Sequence, residues 1–497
     1  MNILLVYPEF PDTFWSFKYA LRFVGKKSAL PPLGLLTVAA MLPRAWAKRL
    51  IDLNVATLKD ADLEWADCVF LSAMTVQRPS AKRIIERCKA RGVRIVAGGP
   101  LFTAEPEQFE DVDHLVLNEG ELTLPPFLRD LELGVPKHVY RTTEFADMHA
   151  SPVPLWELLD RDAYATMAVQ YSRGCPFDCE FCNVTALLGH KPRTKSAGQV
   201  IDELQELYRL GWHRGVFFVD DNLIGNKRTL TSELLPALID WRKTHPGMDF
   251  NTEASINLAD DATMMSQMVK AGFNMVFVGI ETPDAASLAE CNKKHNLNRD
   301  MVADVKRMQR AGLQVQGGFI VGFDSDTSTS VSRIIEFIQR AGIVSAMVGL
   351  LQAMPGTRLH DRMKKAGRLL EETTSGDNVN GRTNIVPTTD ALVLRDQYRE
   401  GLRRLYSPKP YYERVRTFLR EYRLSRSEAP YSIRYEMQQI LAFARSVGRL
   451  GIVGRERTEY WKLLVWTLFH RPRAFPLAVT LAIYGYHFRK TCEFHLG

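Results

Sequence analysis

Up to about residue 145, short apolar runs alternate with stretches in which apolar residues recur every three or four positions. The short runs read as buried strands and the periodic stretches as helices packed on them. Strands are predicted at Ile3–Tyr7, Arg49–Leu53, Cys68–Ser72, Arg94–Ala97 and His114–Leu117, and helices at Leu33–Leu42, Ala81–Arg91 and Leu124–Leu133. Strand and helix in alternation give an α/β fold with a doubly wound parallel sheet. The Gly98-Gly99-Pro100 turn then falls at the carboxyl end of a strand, where such sheets bind ligands.

Two prolines and no clear period mark residues 151–165 as a linker between a first domain, 1–150, and a second, 166–384. There the alternation resumes, with strands predicted at Met167–Tyr171, Val216–Val219, Asp249–Glu253, Met275–Gly279, Val315–Val321 and Ala346–Leu351. From 385 to 497 the period is mostly helical, as over Arg395–Leu405, Tyr411–Tyr422 and Arg434–Val447.

Three cysteines in the run CPFDCEFC, Cys175, Cys179 and Cys182, follow the first strand of the second domain and a Ser172-Arg173-Gly174 turn. Three thiolates in one tight loop suit an iron–sulfur cluster with one iron left open for an outside ligand. Structural zinc needs four protein ligands, and His190 is the one close candidate for the fourth. Disulfides need an oxidising compartment, whereas the chain opens on the strand-like MNILLVYP. A cytoplasmic setting is expected, with Cys68, Cys88, Cys291 and Cys492 as buried or incidental thiols.

The spacing, with Phe181 just before the last cysteine, resembles the cluster loop of the radical S-adenosylmethionine superfamily. That resemblance implies a [4Fe-4S] cluster on the three cysteines. It also implies S-adenosylmethionine on the open iron, an external electron donor such as a flavodoxin or ferredoxin, and a partial (β/α)6 barrel. The series PPLGLL, IDLNV, VAGGPLFT and LNEGELTLPPFL resembles the Rossmann-like cobalamin-binding domain that precedes many radical domains, which would place cobalamin near Gly98 and Gly99. No Asp-x-His-x-x-Gly follows the first strand, so bound cobalamin would carry no histidine on its lower face; the alternative is a domain that binds nothing.

By the same resemblance, Asp220 or Asp221 would hold the amino group of S-adenosylmethionine, Glu253 or Ser255 the ribose, and Glu281 would lie near the cofactor. Gly318 and Gly322 would flank the adenine, and the Met354-Pro355-Gly356-Thr357 turn would shape that side of the pocket. Arg193 and Lys195 would meet the cofactor carboxylate or sit on a solvated loop.

The net charge of +7 is mild over 497 residues, and no basic tract is interleaved with aromatics, so a nucleic-acid substrate is not expected. The tail is rich in aromatics and reads in two ways: a buried cap, or a helix on a membrane surface with Trp461, Trp466 and Phe469 inserted. With this extension, and with the segments FWSFKYAL, SRGCPFDCEFC and FFVDDNLIGNK, the chain resembles the cobalamin-type radical proteins that share the hopanoid-methylase C-terminal domain. That resemblance implies a methyltransferase acting at an unactivated carbon of a small hydrophobic substrate such as a lipid. The alternatives are a radical enzyme that transfers no methyl group and a non-catalytic cobalamin or redox sensor.

Overall fold

The computed structural model describes residues 1–424 and 433–496. The first sheet holds six parallel strands: β1 (Asn2–Tyr7), β2 (Ala47–Asp52), β3 (Cys68–Ser72), β4 (Arg94–Gly98), β5 (His114–Val116) and β6 (Val139–Tyr140), in the order β2-β1-β3-β4-β5-β6. Side chains alternate across it. Leu4, Val6, Val69, Leu71, Ile95 and Ala97 pack on one face, while Ile3, Leu5, Phe70 and Val96 pack on the other against the helices Leu33–Met41 and Gly120–Glu132. The strand order reverses between β1 and β3, and their carboxyl ends splay into a crevice.

A second parallel sheet forms a partial barrel. It runs through β7 (Met167–Val169), β10 (Val216–Phe218), β11 (Phe250–Glu253), β12 (Phe273–Glu281), β13 (Gln314–Val321) and β14 (Ala346–Leu350), in that spatial order. A two-stranded hairpin, β8 (Ser172–Arg173) with β9 (Arg193–Thr194), brackets the cysteine loop. The strands expected from sequence all form, with ends moved by up to two residues. The hairpin and β6 went unpredicted, because two-residue strands leave no periodic trace.

The stretch 151–165 is packed rather than loose. Trp156 is buried, Leu155 N–H donates to Leu36 at 3.1 Å, and the Tyr164 hydroxyl donates to Asp52 at 2.9 Å. The C-terminal helices cover the exposed edge of the barrel. From the helix Ala391–Tyr406, the hydroxyls of Tyr398 and Tyr406 donate to the carbonyls of Val348 (3.1 Å) and Ala346 on β14, which satisfies groups that an open sheet edge would leave bare. The helix Phe475–Leu496 runs through the interior, burying Leu481, Ala482, His487 and Phe488. Among the described residues no helix is long and apolar enough to cross a membrane.

Candidate active site

The cysteine loop starts where β7 ends. Gly174 has φ +95, and a Cβ there would come within 2.8 Å of the Lys191 carbonyl and 2.9 Å of that of Gly189, so only glycine fits where the chain returns on itself. Two segments far along the chain pin the outer side of the loop. Glu180 N–H donates to the Cys291 carbonyl at 2.9 Å, Asn292 donates to Asp178, and the Phe177 ring stacks on His295 at 3.7 Å. Beyond the Met354–Thr357 turn, Leu359 N–H donates to the Glu180 carbonyl at 3.0 Å, and Arg362 forks onto the Glu180 carboxylate at 2.7 and 3.0 Å. That turn therefore braces the cysteine loop.

The three thiols have a fitting donor environment for a cluster. Burial raises the pKa of all three thiols, Cys182 to about 12, while Asn222 Nδ2, 4.0 Å from Cys175 Sγ, and the buried Lys293 ammonium near Cys179 and Cys182 act in the opposite direction. Among the described residues no three His, Cys, Asp or Glu side chains converge on a single-ion site, and His190 is exposed. Lys293 itself is held by Glu281 at 2.6 Å; burial pulls its pKa down, but Glu281 and the thiols outweigh this and leave it raised. Glu281 reaches this position because the β12–β13 register slips between Gly279 and Glu281, where φ is +62. A Cβ on Gly279 would strike both partners of this pair.

The acids expected at the strand ends separate into different roles. Asp220 is fully buried and spends its carboxylate on the protein: Oδ1 accepts from the Ser172 backbone N–H and, at 2.6 Å, its hydroxyl, and Oδ2 accepts from Tyr171 N–H at 3.2 Å. It clamps the entry to the loop, so of the two expected candidates Asp221 is the one that meets the cavity. Ser255 turns aside, donating to Asn257 at 2.6 Å and to Asn222 at 3.3 Å, while Glu253 faces the cavity and its carboxylate receives no hydrogen bond among the described residues. Burial raises the Asp221 carboxyl to about 6. Burial, with the neighbouring charges of Asp221 and Asp220, raises Glu253 to about 8. Such an excess of acid over base calls for a cationic ligand, and S-adenosylmethionine brings both an ammonium and a sulfonium.

The glycines differ as well. Gly318 faces the barrel interior, and the Phe277 ring fills the space its side chain would take, with the Cβ position 2.9 Å away. Gly322, at φ +106, lies away from the cavity; its N–H donates to Asp326 at 2.8 Å and its Cβ position faces Leu394 at 3.4 Å. Neither expectation for Arg193 and Lys195 matches the structure. Arg193 forks onto Glu119 of the first domain at 2.8 and 2.5 Å, and Lys195 is buried in an ion pair with Glu203. Arg173 likewise forks onto Glu121 at 2.9 and 2.8 Å, so the hairpin that frames the cysteines is bolted to the first sheet. Only a long-range partner distinguishes these basic residues from loop charges, and the sequence does not display it.

One cavity of about 890 Å³ joins the two sheets. Its first wall is the crevice of the N-terminal sheet, with Tyr7, Ser72, Gly98, Gly99 and Asn118 at strand ends, and its second is the barrel interior, with Ala168, Phe217, Asp221, Glu253 and Met347. Gly99 has φ +89, and a Cβ there would meet Ser72 Oγ at 2.5 Å, which keeps that edge low. No histidine is among the lining residues, in line with the missing cobalt-ligand motif. Segment 9–18 closes a side, and Trp15 packs on Phe277 with ring centroids 5.0 Å apart. Part of this wall and Asn222 fall within FWSFKYAL and FFVDDNLIGNK, two of the segments that carry the resemblance, whereas Lys293 lies in a loop without periodicity and no local signal marks it.

Three family models match: the B12 binding domain over residues 26–128, the Radical SAM superfamily over 169–338, and a domain of unknown function, DUF4070, over 357–496. An uncharacterized methyltransferase of Synechocystis sp. is 40% identical over 493 residues, 98% of this chain and 91% of that protein. The hopanoid C-2 methylase of Rhodopseudomonas palustris is 32% identical over 475 residues, covering 93% and 88%. In fold, the cobalamin-dependent S-adenosylmethionine radical enzyme OxsB with aqua-cobalamin bound superposes with a TM-score of 0.63 at 15% identity, over 96% of this chain and 80% of that one. The radical S-adenosylmethionine methyltransferase TsrM from Kitasatospora setae gives 0.60 at 14%, over 93% and 98%. The chain belongs to the cobalamin-binding radical S-adenosylmethionine enzymes, in the group that includes the hopanoid methylases.

Proposed function

We propose that this enzyme methylates an unactivated carbon of a hydrophobic, lipid-like substrate. The observation that carries the reading is the cavity bordered by both the crevice of the first sheet and the acidic interior of the barrel. When bound, cluster and S-adenosylmethionine supply hydrogen abstraction from an unactivated position, and cobalamin supplies the methyl group. Cys175, Cys179 and Cys182 hold the cluster. Asp221 and Glu253 orient the cationic cofactor, Gly318 leaves room for the Phe277 ring, and the edge at Gly98 and Gly99 lets the corrin approach the backbone.

The rest of the cavity excludes water and seats an apolar body. Phe10, Phe14, Trp15, Leu30, Pro31 and Met347 line it, and a radical position needs such a dry wall to avoid side reactions. Electrons arrive from an external donor of the flavodoxin or ferredoxin kind, in a cytoplasmic setting. Reduced, anaerobically reconstituted enzyme given S-adenosylmethionine with a deuterated methyl group and lipids from cells lacking the gene tests the reading. A lipid product carrying three deuteriums is expected. A modified lipid without label would mean a radical reaction other than methylation, and no cleavage of S-adenosylmethionine would mean a sensor.

A further inference from the structure

We propose that the helix Arg457–His470, with the turn before it, docks the enzyme on an anionic lipid bilayer. Tyr460, Leu463, Leu464 and Thr467 bury one side of this helix. The opposite side is also apolar: Trp461, Val465, Leu468 and Phe469 are 43, 51, 55 and 78% exposed. Their spacing of four, three and one residues makes a single stripe on a helix. Ile452 and Val453, 64 and 73% exposed, extend it, since Trp461 Nε1 donates to the Gly451 carbonyl at 3.0 Å and holds that turn against the helix. The adjoining Trp466, expected from sequence to insert, is instead partly covered, stacked on His470 with Arg420 above it.

Charge selects the occupant. Arg455 and Arg457 at the start of the helix and Arg473 just beyond its end are exposed, and no ion pair or side-chain hydrogen bond engages them among the described residues. Some exposed arginines elsewhere are neutralised, as Arg209 is by Glu206 and Arg307 by Asp304, and others such as Arg83 and Arg382 are not; what sets these three apart is their position at the two ends of an apolar stripe. An apolar stripe with aromatic residues and unneutralised arginines at both ends matches a helix lying in the headgroup region of an acidic leaflet. A protein partner would need no such excess of one sign. This surface lies outside the cavity, so the inference stands or falls apart from the methyl-transfer reading.

The test is co-sedimentation of the full-length protein with vesicles of phosphatidylcholine alone or mixed with phosphatidylglycerol, at low and high salt. Binding to the mixed vesicles is expected, weakening with salt. The partition should fall by about tenfold or more in the Leu468→Ser, Phe469→Ser double variant. It should fall several-fold in Arg455→Glu, Arg457→Glu, with circular dichroism and thermal midpoint unchanged in both. Equal binding of parent and variants, or no binding to either vesicle, would overturn the proposal. So would self-association that the serine variant abolishes without any vesicle binding, which would assign the stripe to a second copy of the chain.

Discussion

Asp220 and Asp221 are adjacent in sequence, yet one is structural and the other faces the cavity, because successive residues at a strand end point to opposite sides. The sequence therefore located the acidic cluster but not which member is free. Glu253 provides a pH test. Its carboxyl is raised from the usual 4.5 to about 8, so between these values the folded chain keeps a proton that the unfolded chain has lost. Stability from this group then falls as pH rises through that window, and is fully present only below it. Glu253→Gln removes the term. In protein free of S-adenosylmethionine, the thermal midpoint of the variant relative to the parent should climb from pH 5 to pH 8; a difference independent of pH would contradict the burial argument. At the cluster, Cys179→Ala should give folded protein with iron content reduced to a small fraction, and undiminished iron would show that the thiols are misassigned.

Among elements, the hairpin β8–β9 carries the coupling between the sheets. Arg173 and Arg193 leave it to meet Glu121 and Glu119, whose side chains are almost wholly buried. Removing Arg193 leaves the buried Glu119 with the Ala146 N–H and a longer contact to Arg173 at 3.6 Å, so Arg193→Ala should cost about 3 kcal/mol in urea unfolding. Arg209→Ala, at an exposed pair, should cost less than about 1 kcal/mol. Equal costs would mean that the clamp is not under load. The C-terminal helix Phe475–Leu496 acts similarly on the cavity wall: His487 Nε2 pairs with the Phe14 carbonyl at 3.1 Å and His495 with that of Asp12 at 2.5 Å, on either side of the wall residues that lead to Trp15. Strand and helix positions could be read from sequence because periodicity is local. These ties could not, since Phe14 and His487 are far apart in the chain and neither stands out in its own segment.

At the scale of the whole molecule, the two parallel sheets face one another across a shared cavity, and the C-terminal helices fix the segment that closes it. The order of domains and the cluster loop were legible because each rests on a local motif. The joint cavity was not, because it depends on how two sheets are docked by buried ion pairs and on a wall drawn from residues 9–18. On the proposed assignment, S-adenosylmethionine at Asp221 and Glu253 and the corrin at Gly98 and Gly99 would share this cavity. The most direct test is electron paramagnetic resonance of the enzyme loaded with cob(II)alamin and a reduced cluster. Mutual spin–spin splitting of the two signals is expected; two unsplit spectra, each the same as with the other centre absent, would contradict the shared cavity.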